Sequence, residues 1–449
     1  MMKKKSKKAD LSILFGGYLD LTQENIPLLP AHVFSLQEGS IQKITKATKD
    51  WKKKSPAKKY IDASHLIASP GLINAHTHLA MTLFRGLAED MEFQRWLHDY
   101  IFPIESQLVD REFVKVGTDL GLWESLLAGV TTMADMYYFM DVVADRVDKA
   151  GLRALIGQTV MDLPVPDDKK KTGEAYKILT AMISKYKKNP RITPCISPHA
   201  PYTCSDETYI KAANFAKENN IPLHTHVSET RFEVEESLKT FQKTPIERLH
   251  KLGVFKAQTI IAHGVHVTDS EMGVLREYGV GVIHNPESNM KIKAGVAPIK
   301  KYLHHKVRLG IGTDGAASNN NLNLLQELGS GARLQKLQNA PEETSARDFF
   351  RMATLGGAKA LGLEKEIGSL EVGKRADIVG FNLNQPHLLP LHDVVNQLVY
   401  ASSGLEAELV LCDGKVLLED GEPTQVNTTR LQKDALLWKN KIQKFLKSK

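Results

Sequence analysis

From Gly71 onward the chain switches repeatedly between two hydrophobic periods. Short β-branched runs at 72–75, 129–134, 152–160, 192–198, 221–228, 259–263, 280–284 and 307–312 read as buried strands. Between them lie segments whose apolar positions recur every three or four residues, such as "REFVKVGTDLGLWESLLAG", "ETYIKAANFAKENN" and "SEMGVLREYG". That spacing predicts amphipathic helices. Thr268, followed three residues later by Glu271, predicts a reciprocal cap opening the last of them. Eight strand–helix units in roughly 300 residues predict an α/β fold, a closed parallel (β/α)8 TIM barrel in preference to an open sheet. No GxGxxG follows the first strand, which removes the usual reason for a dinucleotide fold.

The flanks carry a different rhythm. "ILFGGYLDL", "AHVFSLQEGSIQKI", "GKRADIVGFNL" and "AELVLCDGKVLLEDG" are short strand-like runs broken by turns. They predict one small β-sandwich built from both chain ends. The expected division is 1–68 for its first part, 69–366 for the barrel, 367–427 for its second part and 428–449 for a final helix. No internal repeat is present.

Composition narrows the class. Hydrophobic residues at 42% and charged residues at 25% are ordinary for a soluble globular protein. No run approaches the ~18 apolar residues of a membrane span. The net charge of +7 sits largely in "MMKKKSKK", "WKKKSPAKK", "DDKKKTG" and the tail "KNKIQKFLKSK", without interleaved aromatics. These read as solvated faces, so neither nucleic acid nor membrane is expected as a partner. The apolar stretch at 11–15 is shorter than the ~7 residues of a secretory leader core. Cys195, Cys204 and Cys412 are odd in number and lack CxxC spacing. A cytoplasmic location is expected.

Histidine placement supplies the chemistry. One HxH pair among 16 histidines is common by chance; this chain has two, His76/His78 and His224/His226. The first pair ends the first predicted strand, on the face where barrel active sites form. Strand alternation turns residues i and i+2 to one side, so both rings can meet one ion at ~2.0–2.1 Å. His226 ends strand five with Glu229 three residues later, and His224 lies one layer deeper as a core or supporting group. His263 ends strand six and Asp314 follows strand eight, where a turn or helix-cap role is the plain alternative. Strand ends carrying His-x-His, His, His and Asp together predict a mononuclear metal site. Strand four ends "CISPHAPYTC", with His199 but no lysine to bridge a second ion.

"PGLINAHTH", "HTHVSET", "AHGVH", "HNPESNMKI", "GTDGAASNN" and "GSLEVGKRADIVGFN" together resemble the amidohydrolase superfamily over nearly the whole chain. "HTHLAMTLFRGLAEDMEFQRWLHDYIFPIE" is similar to its methylthioadenosine/S-adenosylhomocysteine deaminase subgroup. The resemblance implies one Zn²⁺ per subunit, with Fe²⁺ possible, held by His76, His78, His226 and Asp314. It implies His263 beside the attacking water, Glu229 as proton shuttle and Asp314 as a further proton carrier. It implies Trp96 and Glu105 lining a nucleoside site, Glu105 on the ribose diol, His199 at the purine ring and Ser318 at its edge. The plain alternatives are helix packing for Trp96 and a solvated first-turn place for Glu105.

The implied reaction is hydrolytic deamination of an adenine nucleoside at C6, and by analogy a homodimer or homotetramer. One departure is that Gln158 stands where S-adenosylhomocysteine-accepting members have a carboxylate-clamping arginine, which favours methylthioadenosine, adenosine or 5′-deoxyadenosine. Lys169 to Lys171 could still offer point charges. Two other readings stay open: a relative acting on guanine or an s-triazine, and an inactive barrel serving as a scaffold.

Overall fold

A computed structural model describes residues 8–171 and 173–447. The basic block at 1–7, Thr172 of "DDKKKTG" and residues 448–449 of the expected last helix lie outside the described residues.

Each of the eight predicted runs holds one observed strand: Leu72–His78, Val130–Tyr137, Arg153–Val160, Ile192–Pro198, Leu223–Val227, Thr259–His263, Gly281–His284 and Arg308–Ile311. All pair in parallel with their neighbours, in chain order. Ring closure comes three residues beyond the eighth strand, where Asp314–Gly315 pairs in parallel with Thr77 and His78. Asn74 reinforces this seam: its Oδ1 accepts the Thr313 N–H at 3.1 Å and its Nδ2 donates to Thr313 Oγ1 at 2.8 Å. The first two strands run three residues past their apolar patterns, to His78 and Tyr137. Hydropathy stops at the first polar residue, but the ladder continues through the Thr77–Asp135 pair because those polar ends line the barrel mouth.

The amphipathic segments are helices at Arg111–Leu127, Asp206–Asn219 and Asp269–Glu277. The last opens with the expected reciprocal cap between Thr268 and Glu271. A longer excursion separates the first strand from Arg111. It contains a widened π-type turn at Trp96–Ile101 that runs into the helix Phe102–Leu108.

The terminal strands form one hydrogen-bonded sheet of eight, four from each chain end side by side, joined at the centre where Ala57–Pro70 pairs antiparallel with Ile378–Phe381. Ile13, Phe15, Phe34, Ile41, Ile378 and Leu411 fill its core. The sheet is tied to the barrel by a buried ion pair: Arg153, at the start of the third strand, donates to both carboxylate oxygens of Asp377 at 3.0 and 3.2 Å. The final helix, Thr428–Lys447, buries Leu431, Trp438 and Ile442, and Trp438 meets Phe113 of the Arg111–Leu127 helix edge-on at 5.2 Å. Among the described residues no helix is long and apolar enough to cross a membrane.

Candidate functional site

The strand ends bring their side chains together at the barrel mouth. Ligand atoms of His76, His226, His263 and Asp314 all lie within 4.8 Å of one another. His78 reaches the same centre, its Nε2 3.1 Å from Asp314 Oδ1 and 3.3 Å from His226 Nε2. Each ring is aimed by a bond on its other nitrogen. His78 Nδ1 donates to Met136 O, His226 Nδ1 to His199 O at 2.7 Å, and His263 Nδ1 to Asn289 Oδ1 at 2.9 Å. His76 Nδ1 shares a 3.1 Å hydrogen bond with His224 Nε2. That leaves the Nε2 atoms at the centre, the arrangement metal-ligating imidazoles need.

The electrostatics suit a cation. Burial lowers His76 to about 4 and holds His226 well below the ordinary histidine value, so both rings present lone pairs. Burial works to raise Asp314, but the His76 and His78 rings, 3.4 and 3.1 Å from its Oδ1, outweigh it and keep the carboxylate ionised. His76 Nε2 is buried with no hydrogen-bond partner, 3.4 Å from Asp314 Oδ1. An orphaned donor atom there would be costly without a ligand to satisfy it. Three non-glycine residues at these strand ends stand in left-handed backbone: Ser228 at φ 53°, His263 at 72° and Asp314 at 59°. Such strain persists only where surrounding structure over-determines it, and it clusters at functional sites.

A cavity opens above this cluster, and every residue the sequence offered for catalysis or substrate contact lines it: Trp96, Glu105, His199, Glu229, His263, Asp314 and Ser318. Glu229 is 5% exposed, and its Oε1 lies 3.6 Å from His263 Nε2. Burial raises it above the ordinary glutamate value. Glu105 is no solvated first-turn residue: it is 4% exposed, accepts from Tyr137 OH at 2.7 Å and is pushed up to about 7 by burial. Trp96 is half-buried and stacks on Phe93. Ser318 Oγ donates to Asp314 Oδ2 at 2.9 Å.

Several members were not picked out from sequence. Tyr137 and Tyr138, at the end of the second strand, hold Glu105. Ser288 Oγ donates to Asp314 Oδ2 at 2.6 Å, and Asn289 fixes His263. Both belong to "HNPESNMKI", a stretch whose likeness was visible but whose individual roles were not. Gln158 is fully buried, its amide spent on Asp167 Oδ2 at 2.8 Å and Thr159 O at 3.3 Å. Among the described residues lining the cavity there is no lysine or arginine.

Residues 67–417 match the family model described as Amidohydrolase family. The chain belongs to the amidohydrolase family. This amidohydrolase is 39% identical over 409 residues to a 5-methylthioadenosine/S-adenosylhomocysteine deaminase of Thermodesulfovibrio yellowstonii, covering 91% of this chain and 93% of that one. It is 41% identical over 382 residues to a 5′-deoxyadenosine deaminase of Methanosphaera stadtmanae, covering 85% and 89%. Its fold is similar to a zinc-bound adenosine deaminase from Xanthomonas campestris, with a TM-score of 0.93, 34% identity and coverage of 98% and 99%. A metal cofactor fits the histidine–aspartate cluster of this amidohydrolase on its donor set and on the orphaned His76 nitrogen.

Proposed function

We propose that the protein is a zinc-dependent aminohydrolase that converts an adenine nucleoside to its inosine-type product and ammonia. The observation that carries this reading is that one cavity joins the metal cluster to two buried glutamates in different settings, Glu229 beside His263 and Glu105 beneath two tyrosine hydroxyls. The similarity to three adenine-nucleoside deaminases supports it.

His76, His78, His226 and Asp314 would hold the zinc, which when bound supplies a Lewis acid that makes water a nucleophile at neutral pH. Purine C6 is a poor electrophile until N1 carries a proton. Glu229, kept protonatable by burial, takes the proton of the attacking water and delivers it to N1. Asp314 and His263 pass the remaining proton toward the departing amine. Ser288 and Ser318 occupy Asp314 Oδ2 and so keep Oδ1 turned to the histidines. On the opposite wall Glu105 accepts from the ribose hydroxyls, Trp96 covers the apolar side and His199 meets the ring. Separate assays with methylthioadenosine, 5′-deoxyadenosine, adenosine, S-adenosylhomocysteine and guanine, each followed by ammonia release, test the reading. Turnover of an adenine nucleoside supports it; ammonia from guanine alone, or from none of them, overturns it.

A further inference from the structure

Among the described residues, three α-helices begin with a full reciprocal cap, in which the acid three residues on turns back to its own cap residue. The N–H groups of Thr244, Thr268 and Ser345 donate to Glu247, Glu271 and Asp348 at 3.0, 2.7 and 2.7 Å. The helix Arg231–Phe241 starts with the same residue types, and Thr230 Oγ1 accepts the Glu233 N–H at 3.1 Å. The return half of the cap is reduced to the weakest of the three backbone N–H contacts on the Glu233 carboxyl, that from Thr230. Glu233, 3% exposed, instead accepts the N–H of Ser228 on Oε1 and the N–H of Glu229 on Oε2, both at 2.8 Å. A carboxylate that local helix chemistry would spend on Thr230 is diverted upstream, onto the turn that carries Glu229.

That turn is the left-handed one at Ser228, φ 53°. Its carbonyl is also engaged: Ser228 O accepts the N–H groups of Val265 and His266 at 2.9 and 3.0 Å, just beyond His263. The Ser228 peptide groups are therefore gripped on both sides. Glu233 holds their N–H side, the segment after His263 holds their carbonyl side, and the Glu229 carboxylate is left 3.6 Å from His263 Nε2. A grip by two oxygens on two successive N–H groups fixes orientation as well as distance.

We infer that Glu233 is a positioning residue for the reaction, setting the aim of the Glu229 carboxylate through its two backbone N–H bonds. The inference rests on the reading of Glu229 as the proton shuttle. Glu233→Gln keeps the volume but sets an amide donor against one of the two N–H groups. The measurements are kcat, KM and zinc content of this variant, alone and combined with Glu229→Gln. A misplacement of about 1 Å can cost on the order of 10²-fold, so kcat is expected to fall by about that factor, with KM within about twofold and zinc retained. In the Glu229→Gln background the same change is expected to cost nothing more, because it acts through a group already removed.

Thr230→Val is the control, since it weakens the same helix start without touching the grip; its expected result is a lower Tm at unchanged kcat. Should the glutamine variant not fold, Glu233→Asp, too short to reach both N–H groups, carries the same expectation. A kcat within about twofold of wild type, an equal loss in both backgrounds, or an equal loss in Thr230→Val would each overturn the positioning role. Near wild-type turnover of Glu229→Gln would instead remove the shuttle reading beneath it.

Discussion

The two sides of the cavity are built by different means. The floor consists of strand ends, where each imidazole is fixed by a second bond to a carbonyl or side chain and the backbone is locked in strained turns. The wall from Trp96 to Glu105 stands on a π-type turn and a short helix, and its carboxylate is steadied by two tyrosines from the neighbouring strand. A floor of this kind has little tolerance, because ligand geometry is set by the barrel itself. The wall can change without disturbing the chemistry, which is where substrate preference can drift.

The sharpest break of this contrast is loss of the floor's ion. Asp314→Ala, or chelation of the wild-type protein, is expected to lower turnover by at least about 10³-fold. Zinc addition should restore the chelated protein but not the variant, as read by elemental analysis alongside ammonia release. Full activity in metal-free protein would leave the floor without its proposed task. Next in size is Glu229→Gln, with an expected loss of about 10²- to 10⁴-fold at unchanged zinc content. A variant that lost zinc as well would mean that the carboxylate supports the cluster rather than the proton transfer.

The same contrast explains what could be read from the sequence. The barrel was legible because eight apolar runs alternate with helical periods, and the floor because His76, His78, His226, His263 and Asp314 interrupt those runs at their ends. Resemblance pointed to Trp96 and Glu105, yet local chemistry alone could not separate them from packing and first-turn residues. Glu105 follows Pro103 as a solvated residue would, and the hydroxyl that explains its burial, Tyr137, lies 32 positions away. Glu233 was hidden for a related reason: an acid three residues after a threonine predicts a reciprocal cap, and only the folded turn shows its oxygens diverted elsewhere.

A smaller effect is expected on the wall. Glu105→Gln replaces the ionisable group proposed to accept from the ribose hydroxyls, and loss of charge-assisted bonds of about 1.5–3 kcal/mol predicts a KM increase of about 10- to 100-fold. The value of kcat at saturation should change much less, since this binding is shared by ground and transition states. Adenine analogues lacking the 2′ and 3′ hydroxyls should show no such difference between variant and wild type. If they lose as much as adenosine does, Glu105 does not hold the diol.

The smallest effect separates floor from wall by the sign of their pH dependence. Burial pushes Glu105 up to about 7 from its ordinary 4.5. Between those values the folded protein keeps a proton that the unfolded chain has released, so this group lowers stability progressively as pH rises from about 4.5 through 7. Asp314 works the other way: held well below its ordinary value by His76 and His78, it adds stability above that value, lost as pH falls toward the lower folded one. Glu105→Gln removes only the first dependence, because the amide does not titrate and its oxygen can still accept from Tyr137. The Tm of the variant should therefore match wild type near pH 4.5 and exceed it by about one to three degrees above pH 7. An equal offset at both pH values would mean that the difference comes from packing around residue 105, and that the buried carboxylate carries no ionisation cost.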